Sequence, residues 1–147
     1  MVDVRMKILC QRNAVFLTLL LASVSAAQDS TLKPATDAAA QWLALIDAGQ
    51  YSQSWQQASP LFQQKVPLAK WQADLSRIRT RLGRLGSRQL KSADVKSETA
   101  GTAAGKYVVI QYRTQFAVAG PVIETVKPVL DVSGHWKVAD YSITPTT

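Results

Sequence analysis

A change of hydrophobic period within residues 67–88, PLAKWQADLSRIRTRLGRLGSR, constrains the fold more than any other feature of the sequence. Apolar side chains recur there every three or four residues, at Leu68, Trp71, Leu75, Ile78 and Leu82. At about 3.6 residues per turn these positions share one face of a helix, and that face must be buried. Two glycines, Gly83 and Gly86, then end the helical period.

The opposite face of this predicted helix is net positive. Lys70, Arg77 and Arg81 share it with a single acid, Asp74, and two further arginines follow the first glycine. Two interpretations stay open: the arginines form a basic binding surface, or they have a structural role at the corner where helix becomes sheet. The predicted binding surface consists of Trp71, Arg77, Arg81, Arg84 and Arg88.

Shorter helical segments precede this helix. Thr36 is a predicted N-cap for a first helix that ends at Gly49. Tyr51 and Trp55, one turn apart, indicate a second and shorter helix. Ser59, followed by proline, has the pattern of an N-cap before a third.

Alternating apolar residues dominate the second half of the chain. In residues 106–118, KYVVIQYRTQFAV, every second side chain from Val108 to Phe116 is predicted to face the core. Residues 88–99 read as a polar edge strand, and residues 122–131 as a strand whose Pro128 suggests an edge or bulged position. In the fourth strand, Trp136 and Tyr141 differ in parity, which predicts a bulge near Ala139 or Asp140.

Helices followed by antiparallel strands predict an α+β fold, with the N-terminal helices packed on one face of a curved four-stranded antiparallel sheet. We expect residues 36–143 to form one domain, with a C-terminal tail at residues 144–147.

Residues 1–27 have the pattern of an export signal. Arg5, Lys7 and Arg12 precede an apolar run that is too short to span a bilayer, and small residues follow for cleavage after Ala26 or Ala27. Translation from Met1 or from Met6 fits equally well, and an uncleaved anchor is the alternative. We expect an exported protein, periplasmic or secreted, without a membrane span after cleavage and with a disordered leader at residues 28–35.

Cleavage would remove Cys10, the single cysteine, and would lower the net charge from +7 to +5, because the signal carries three cations and one acid. Disulfides and thiolate chemistry are then excluded from the mature domain. The remaining positive charge favours binding to an anionic envelope component, because binding to nucleic acid would conflict with export. The alternative is that the charge serves solubility alone.

Motifs for catalysis, metals or cofactors are missing from the sequence. The only histidine, His135, stands beside a predicted turn, and the sequence has neither a phosphate-binding glycine loop nor a nucleophile elbow. We therefore predict no metal site and no cofactor.

Glu124 is the most informative acid. A hairpin that pairs Phe116 with Val122 and Thr114 with Glu124 would point this carboxylate into the core, where it needs a partner. We favour a structural ion pair with Arg81 or Arg88. The alternative is a desolvated general base in a cavity, with Asp140 as a second candidate base and Tyr112 or Tyr141 as hydrogen-bond donor.

Several segments resemble the bacterial domain-of-unknown-function family 4019. They are WLALIDAGQYSQSW at residues 42–55, RLGRLGSR at 81–88, GKYVVIQYRTQF at 105–116, ETV at 124–126 and GHWKVADYSI at 134–143. The resemblance covers residues 38–143. It implies an exported bacterial protein with a cystatin-like or NTF2-like α+β fold, and it implies no activity, substrate or catalytic residue.

These features lead to two functional hypotheses. The first is a non-catalytic exported binding or interaction domain, which takes a small molecule or an anionic envelope component in a pocket under the sheet or at the basic corner. The second is a small-molecule isomerase or lyase that uses a cavity carboxylate, for which fold analogy is the only support. An unpaired carboxylate in an enclosed pocket would favour the enzyme, and a Glu124 bonded to arginine would argue against it.

Overall fold

The structure is a computed structural model that describes residues 22–97 and 105–146, with side chains from Ser30 onward. Four helices precede four strands. The helices are α1 (Ala22–Asp47), α2 (Tyr51–Gln57), α3 (Pro60–Lys65) and α4 (Leu68–Leu82), and the strands are β1 (Leu85–Ser97), β2 (Lys106–Phe116), β3 (Gly120–Leu130) and β4 (Trp136–Pro145). The predicted α+β fold is confirmed.

The strands form one antiparallel sheet in the order β1-β2-β3-β4, so that β1 and β4 are its edges. Every second residue of β2 is buried, as its alternation predicted. These residues face the core that the helices supply, where Trp42 and Leu43 of α1 meet Phe62 of α3 and Trp71 of α4. The helices therefore cover a single face of the sheet.

The predicted bulge in β4 is confirmed at Ala139. Lys127 pairs with Asp140 and Pro128 pairs with Val138, which leaves Ala139 without a partner in β3. The extra residue changes the parity of the strand, and side chains before and after it consequently reach the same core. Pro128 lies in the inner strand β3, opposite this bulge.

The predicted register of the β2–β3 hairpin is wrong by two residues. Phe116 pairs with Gly120, Thr114 with Val122, and Tyr112 with Glu124. The connection is shorter than expected because Gly120 adopts a positive φ of 75°, which a tight turn needs. A shift of two residues preserves the facing of each side chain, so Glu124 still points inward.

Both predicted ends of the domain differ from the structure. Residues 28–35 are not a disordered leader but part of α1, in which Leu32 packs against the core and Ala35 is 0 % exposed. Thr36 is not an N-cap, since its hydroxyl donates to the Leu32 carbonyl inside the helix. The predicted tail also begins too early, because Thr144 and Pro145 extend β4.

Residues 1–21, which hold most of the predicted signal and both candidate start residues, lie outside the described residues. Within the described chain, no helix is long and apolar enough to cross a membrane.

Candidate functional site

Glu124 lies at the centre of a buried polar network and is 0 % exposed. Arg88 binds it with two nitrogens: Nε donates to Oε2 at 2.7 Å and Nη2 donates to Oε1 at 3.2 Å. The Thr114 hydroxyl donates to Oε2 at 2.5 Å, and the Tyr141 hydroxyl donates to Oε1 at 2.6 Å. Each carboxylate oxygen therefore accepts two hydrogen bonds, which is what keeps an ionised carboxylate stable inside a protein.

Asp47 and Arg79 complete this network. Asp47, the last residue of α1, accepts hydrogen bonds from Arg88 Nη1 at 2.6 Å and from Arg79 Nη2 at 2.9 Å. The Arg79 guanidinium also lies 5.1 Å from the centroid of the Phe116 ring. The two carboxylates balance the two guanidinium groups. We call these six residues the Glu124 cluster: Asp47, Arg79, Arg88, Thr114, Glu124 and Tyr141.

The ionisation of the cluster follows from its burial and its pairing. Burial, together with the negative charge of Glu124, raises the pKa of Tyr141 well above its ordinary value. Burial by itself would lower the pKa of Arg88, but hydrogen bonds to Asp47 and Glu124 outweigh it and raise the pKa. Tyr141 thus stays a donor and Arg88 stays a cation at neutral pH.

Of the two arginines predicted to pair with Glu124, Arg88 does so and Arg81 does not. Arg81 is exposed and lies along a groove described below. The second cation near Glu124 is Arg79, at 3.9 Å, which was not among the arginines predicted from the sequence. The spacing of residues in the sequence indicates the position of Arg79. It follows Leu75 by four residues and precedes Leu82 by three, which places its cation on the buried face of α4.

The other predicted site residues do not form one surface. Arg77 pairs with Asp74 on the exposed side of α4, whereas Arg84 is exposed in the link to β1. Trp71 is 7 % exposed and bonds to Ser54. The basic patch predicted from five residues is therefore divided, since Arg88 belongs to the interior.

The remaining candidates for an enzymatic site are equally separate. Asp140 forms an exposed ion pair with Lys127. Tyr112 is buried opposite Glu124, and burial raises its pKa. In neither place does an unpaired carboxylate lie beside a tyrosine hydroxyl that could act as its hydrogen-bond donor.

An apolar groove of about 590 Å³ lies between α4 and β4. One wall consists of the apolar face of α4, and the other consists of consecutive residues of β4. Residues of the last turn of α3 line one end, and residues of the β2–β3 turn line the other. Its apolar lining includes Val66, Trp71, Leu75, Ile78, Leu82, Ala119, Val122, Tyr141 and Ile143.

Charged side chains at the rim of the groove leave a positive balance. Asp74 is bound by Lys70 at 2.5 Å and by Arg77 at 2.9 Å, and these contacts lower its pKa, the Lys70 hydrogen bond most. The other rim acid, Asp140, is paired with a lysine outside the groove. Lys65 and Arg81, also at the rim, form no ion pair within the part of the chain that the structure describes.

His135 belongs to a structural turn. Asp131 accepts hydrogen bonds from the Ser133 hydroxyl at 2.7 Å and from the His135 backbone N–H at 2.8 Å, and these bonds lower the pKa of Asp131 to about 2. The His135 ring lies 3.0 Å from the Ser133 hydroxyl. Across residues 22–97 and 105–146, histidines and acids form no group of three that could hold a metal ion.

Comparison with protein families finds a match. The model of a family described as "Protein of unknown function (DUF4019)" matches residues 38–141, more than half of the chain. The matched range contains α4 and all six residues of the Glu124 cluster. No curated protein matches the chain.

Proposed function

The chain belongs to the DUF4019 family, and we propose that it is an exported, non-catalytic binding domain whose ligand site is the groove between α4 and β4. The observation that carries this proposal is the groove itself. Ligand sites in proteins are typically concave, mostly apolar and about 300–1,000 Å³ in volume. A groove of about 590 Å³ with an apolar lining has these properties.

The state of Glu124 argues against the isomerase or lyase alternative. A general base must offer a lone pair to a proton of the substrate. Four hydrogen bonds occupy the carboxylate of Glu124, and two of them come from an arginine that also binds Asp47. The cluster is better suited to joining α1, α4 and the sheet than to proton transfer.

Export is supported by the sequence. The N-terminal 27 residues have the order of a secretory signal, and no cysteine follows Cys10. The positive rim of the groove suits an anionic ligand, either a small molecule or an envelope component.

The proposal is tested with 8-anilinonaphthalene-1-sulfonate, a dye that is both apolar and anionic. We expect saturable binding with one site per folded chain and an increase in dye fluorescence. Ile78→Trp enlarges a side chain that lines the groove from α4 and should block the binding. Ser76→Trp is the matched control, because Ser76 is exposed on α4 outside the groove, and this variant should bind normally.

Thermal unfolding of both variants shows that each is folded before the titrations are compared. Dye binding that is equally strong in the two variants would place the ligand site elsewhere and would refute the proposal.

A further inference from the structure

We propose that the groove takes an extended peptide, which pairs with the outer edge of β4, inserts alternate apolar side chains toward α4 and carries an acidic residue at each end. This inference rests on the proposed binding function and specifies its ligand. Edge strands bind extended peptides in this way because the main chain supplies affinity and the adjoining pocket supplies specificity.

The outer edge of β4 is free along the groove. β4 is the last strand of the sheet. Within the described residues, the one backbone hydrogen bond that reaches it from outside the sheet runs from Ser59 N–H to the Val138 carbonyl, at 2.8 Å. That bond covers the strand before the bulge. From Asp140 onward the edge has no backbone partner in the described part of the chain, and an edge strand presents unpaired donors and acceptors.

The groove runs along this edge as well as over the adjoining helix-facing side of the sheet, where Val122 of β3 lines it. It is lined by five successive residues, 139–143. Side chains of a strand alternate between the two faces, so a pocket over one face would contact every second residue. Contact with successive residues means that the strand presents its edge, with its backbone groups, to the groove.

α4 forms the opposite wall and is held at both ends. The Trp71 indole N–H donates to the Ser54 hydroxyl at 3.0 Å near its start. At its end the Leu82 carbonyl accepts from Val118 N–H at 3.0 Å and from Ala119 N–H at 3.1 Å. Trp71 lies by Tyr141, and Leu82 lies in a cluster with Ile143, so the helix and the strand run in the same direction.

The two walls are similar in length. The four steps from residue 140 to residue 144 of the free edge span about 13 Å at about 3.3 Å per residue. The eleven steps from residue 71 to residue 82 of α4 span about 16 Å at about 1.5 Å per residue. The site therefore accommodates about five extended residues.

Charge complementarity predicts which residues the peptide carries at its two ends. Lys65 stands at the α3 end of the groove and Arg81 at the end near the β2–β3 turn. Both lack an ion pair within the described residues, whereas the acids of the rim are already paired. An acidic residue at each end of a short peptide would meet one of these cations.

An acyl chain with an anionic head fits the same groove less well. It would exclude water from the free edge of β4 without supplying donors or acceptors, and buried backbone groups without partners are unfavourable. A peptide satisfies them.

The test uses the purified protein and a fluorescein-labelled peptide of sequence Glu-Thr-Val-Thr-Leu-Thr-Glu, followed by fluorescence anisotropy. Two variants of the peptide are N-methylated, one at the odd and one at the even central residues. Only every second N–H of a paired strand points to its neighbour. We therefore expect one methylated peptide to bind normally and the other to lose about tenfold or more in affinity, as the loss of two or three backbone hydrogen bonds implies.

Protein variants and a lipid probe complete the experiment. Ile78→Trp, which fills the groove from α4, should abolish peptide binding, Ser76→Trp should preserve it, and Arg81→Glu should weaken it. If both methylated peptides bind as well as the parent, or if dodecanoate binds and the peptide does not, the peptide proposal is overturned while the groove remains a ligand site. If peptide, dodecanoate and dye all fail to bind, the proposed function falls as well.

Discussion

A carboxylate at the centre of the core would destabilise this protein if its partners were missing. Glu124 has no exposed surface, and its two oxygens bond to Arg88, Thr114 and Tyr141. Arg88 is 14 % exposed and bonds at the same time to Asp47, which connects the end of α1 to the sheet. The charge of Glu124 is therefore neutralised by partners that come together only in the folded chain.

Loss of Arg88 should be far more costly than loss of Arg81. Arg88→Met removes the cation that hydrogen-bonds to Glu124 and leaves Arg79 at 3.9 Å, and removing one partner of a buried pair typically costs about 3–5 kcal/mol. Arg81→Met removes an exposed side chain and should change the free energy of unfolding by about 0.5 kcal/mol or less. Urea unfolding of both variants measures the difference, and equal stabilities would contradict the assigned pairing.

Alkaline pH should weaken the fold through Tyr141. Its pKa is raised in the folded state above the ordinary 10.0, so the unfolded chain releases the phenolic proton first. The stabilisation is complete below about pH 10 and is lost as the pH rises toward the folded-state pKa. Urea unfolding between pH 8 and 11 should show a shallower decline in Tyr141→Phe than in the wild type or in the control Tyr51→Phe. Identical slopes in all three would count against this role.

The corner between α4 and β1 is the element on which the placement of the cluster and groove depends. Gly83 has φ 79° and ψ −167°, a conformation that only glycine adopts readily. It allows the chain to leave the helix and lets the Leu82 carbonyl accept two N–H groups of the β2–β3 turn. The corner thereby anchors one end of α4 and holds the β2–β3 turn that lines one end of the groove.

Gly83→Ala should be more harmful than the same substitution at Gly49. A Cβ at Gly83 would lie 2.7 Å from Val118 Cγ2 and 3.0 Å from Val118 N, whereas a Cβ at Gly49 meets nothing within 4 Å. Both glycines have positive φ, so both variants lose about 1–3 kcal/mol from backbone strain. We expect Gly83→Ala to lose at least about 1 kcal/mol more by chemical denaturation. A smaller loss at Gly83 than at Gly49 would mean that the turn moves freely.

At the scale of the whole molecule, the helices cover one sheet face, and from Asp140 onward the outer edge of β4 has no backbone partner among the described residues. α1 crosses the sheet with Trp42, Leu43 and Ile46 buried, while α4 is displaced from β4 by the groove. The domain has no cysteine in the described residues, and its buried apolar side chains form a larger cluster beneath α1 and a smaller one around Phe116. We therefore expect each turn of α1 that contacts the core to contribute to the free energy of unfolding.

Truncation tests the extent of α1. A chain that begins at Thr36 lacks Leu32 and Ala35, which contact the core, and should be less stable than a chain that begins at Gln28 by about 1–2 kcal/mol. Thermal unfolding compares the two, and Leu32→Ser in the longer chain isolates the contribution of one side chain. Equal melting temperatures would restore the prediction of a disordered leader.

Local periodicity accounts for the features that were predicted correctly. Apolar residues at spacings of three and four identified α4, and alternation identified β2 with its buried residues. The parity change between Trp136 and Tyr141 identified the bulge at Ala139. The inward direction of Glu124 survived an error of two residues in the register, because side-chain facing depends only on parity.

Contacts between distant segments decided the rest. The sequence could establish that a buried carboxylate needs a cation, but whether Arg79, Arg81 or Arg88 supplies it depends on how α4 lies against β1 and β3. The extent of α1 and the groove beside β4 likewise follow from how surfaces far apart in the chain come together. Periodicity is a property of neighbouring residues and is legible in one dimension, whereas pairing and cavity shape depend on distances that exist only after the chain has folded.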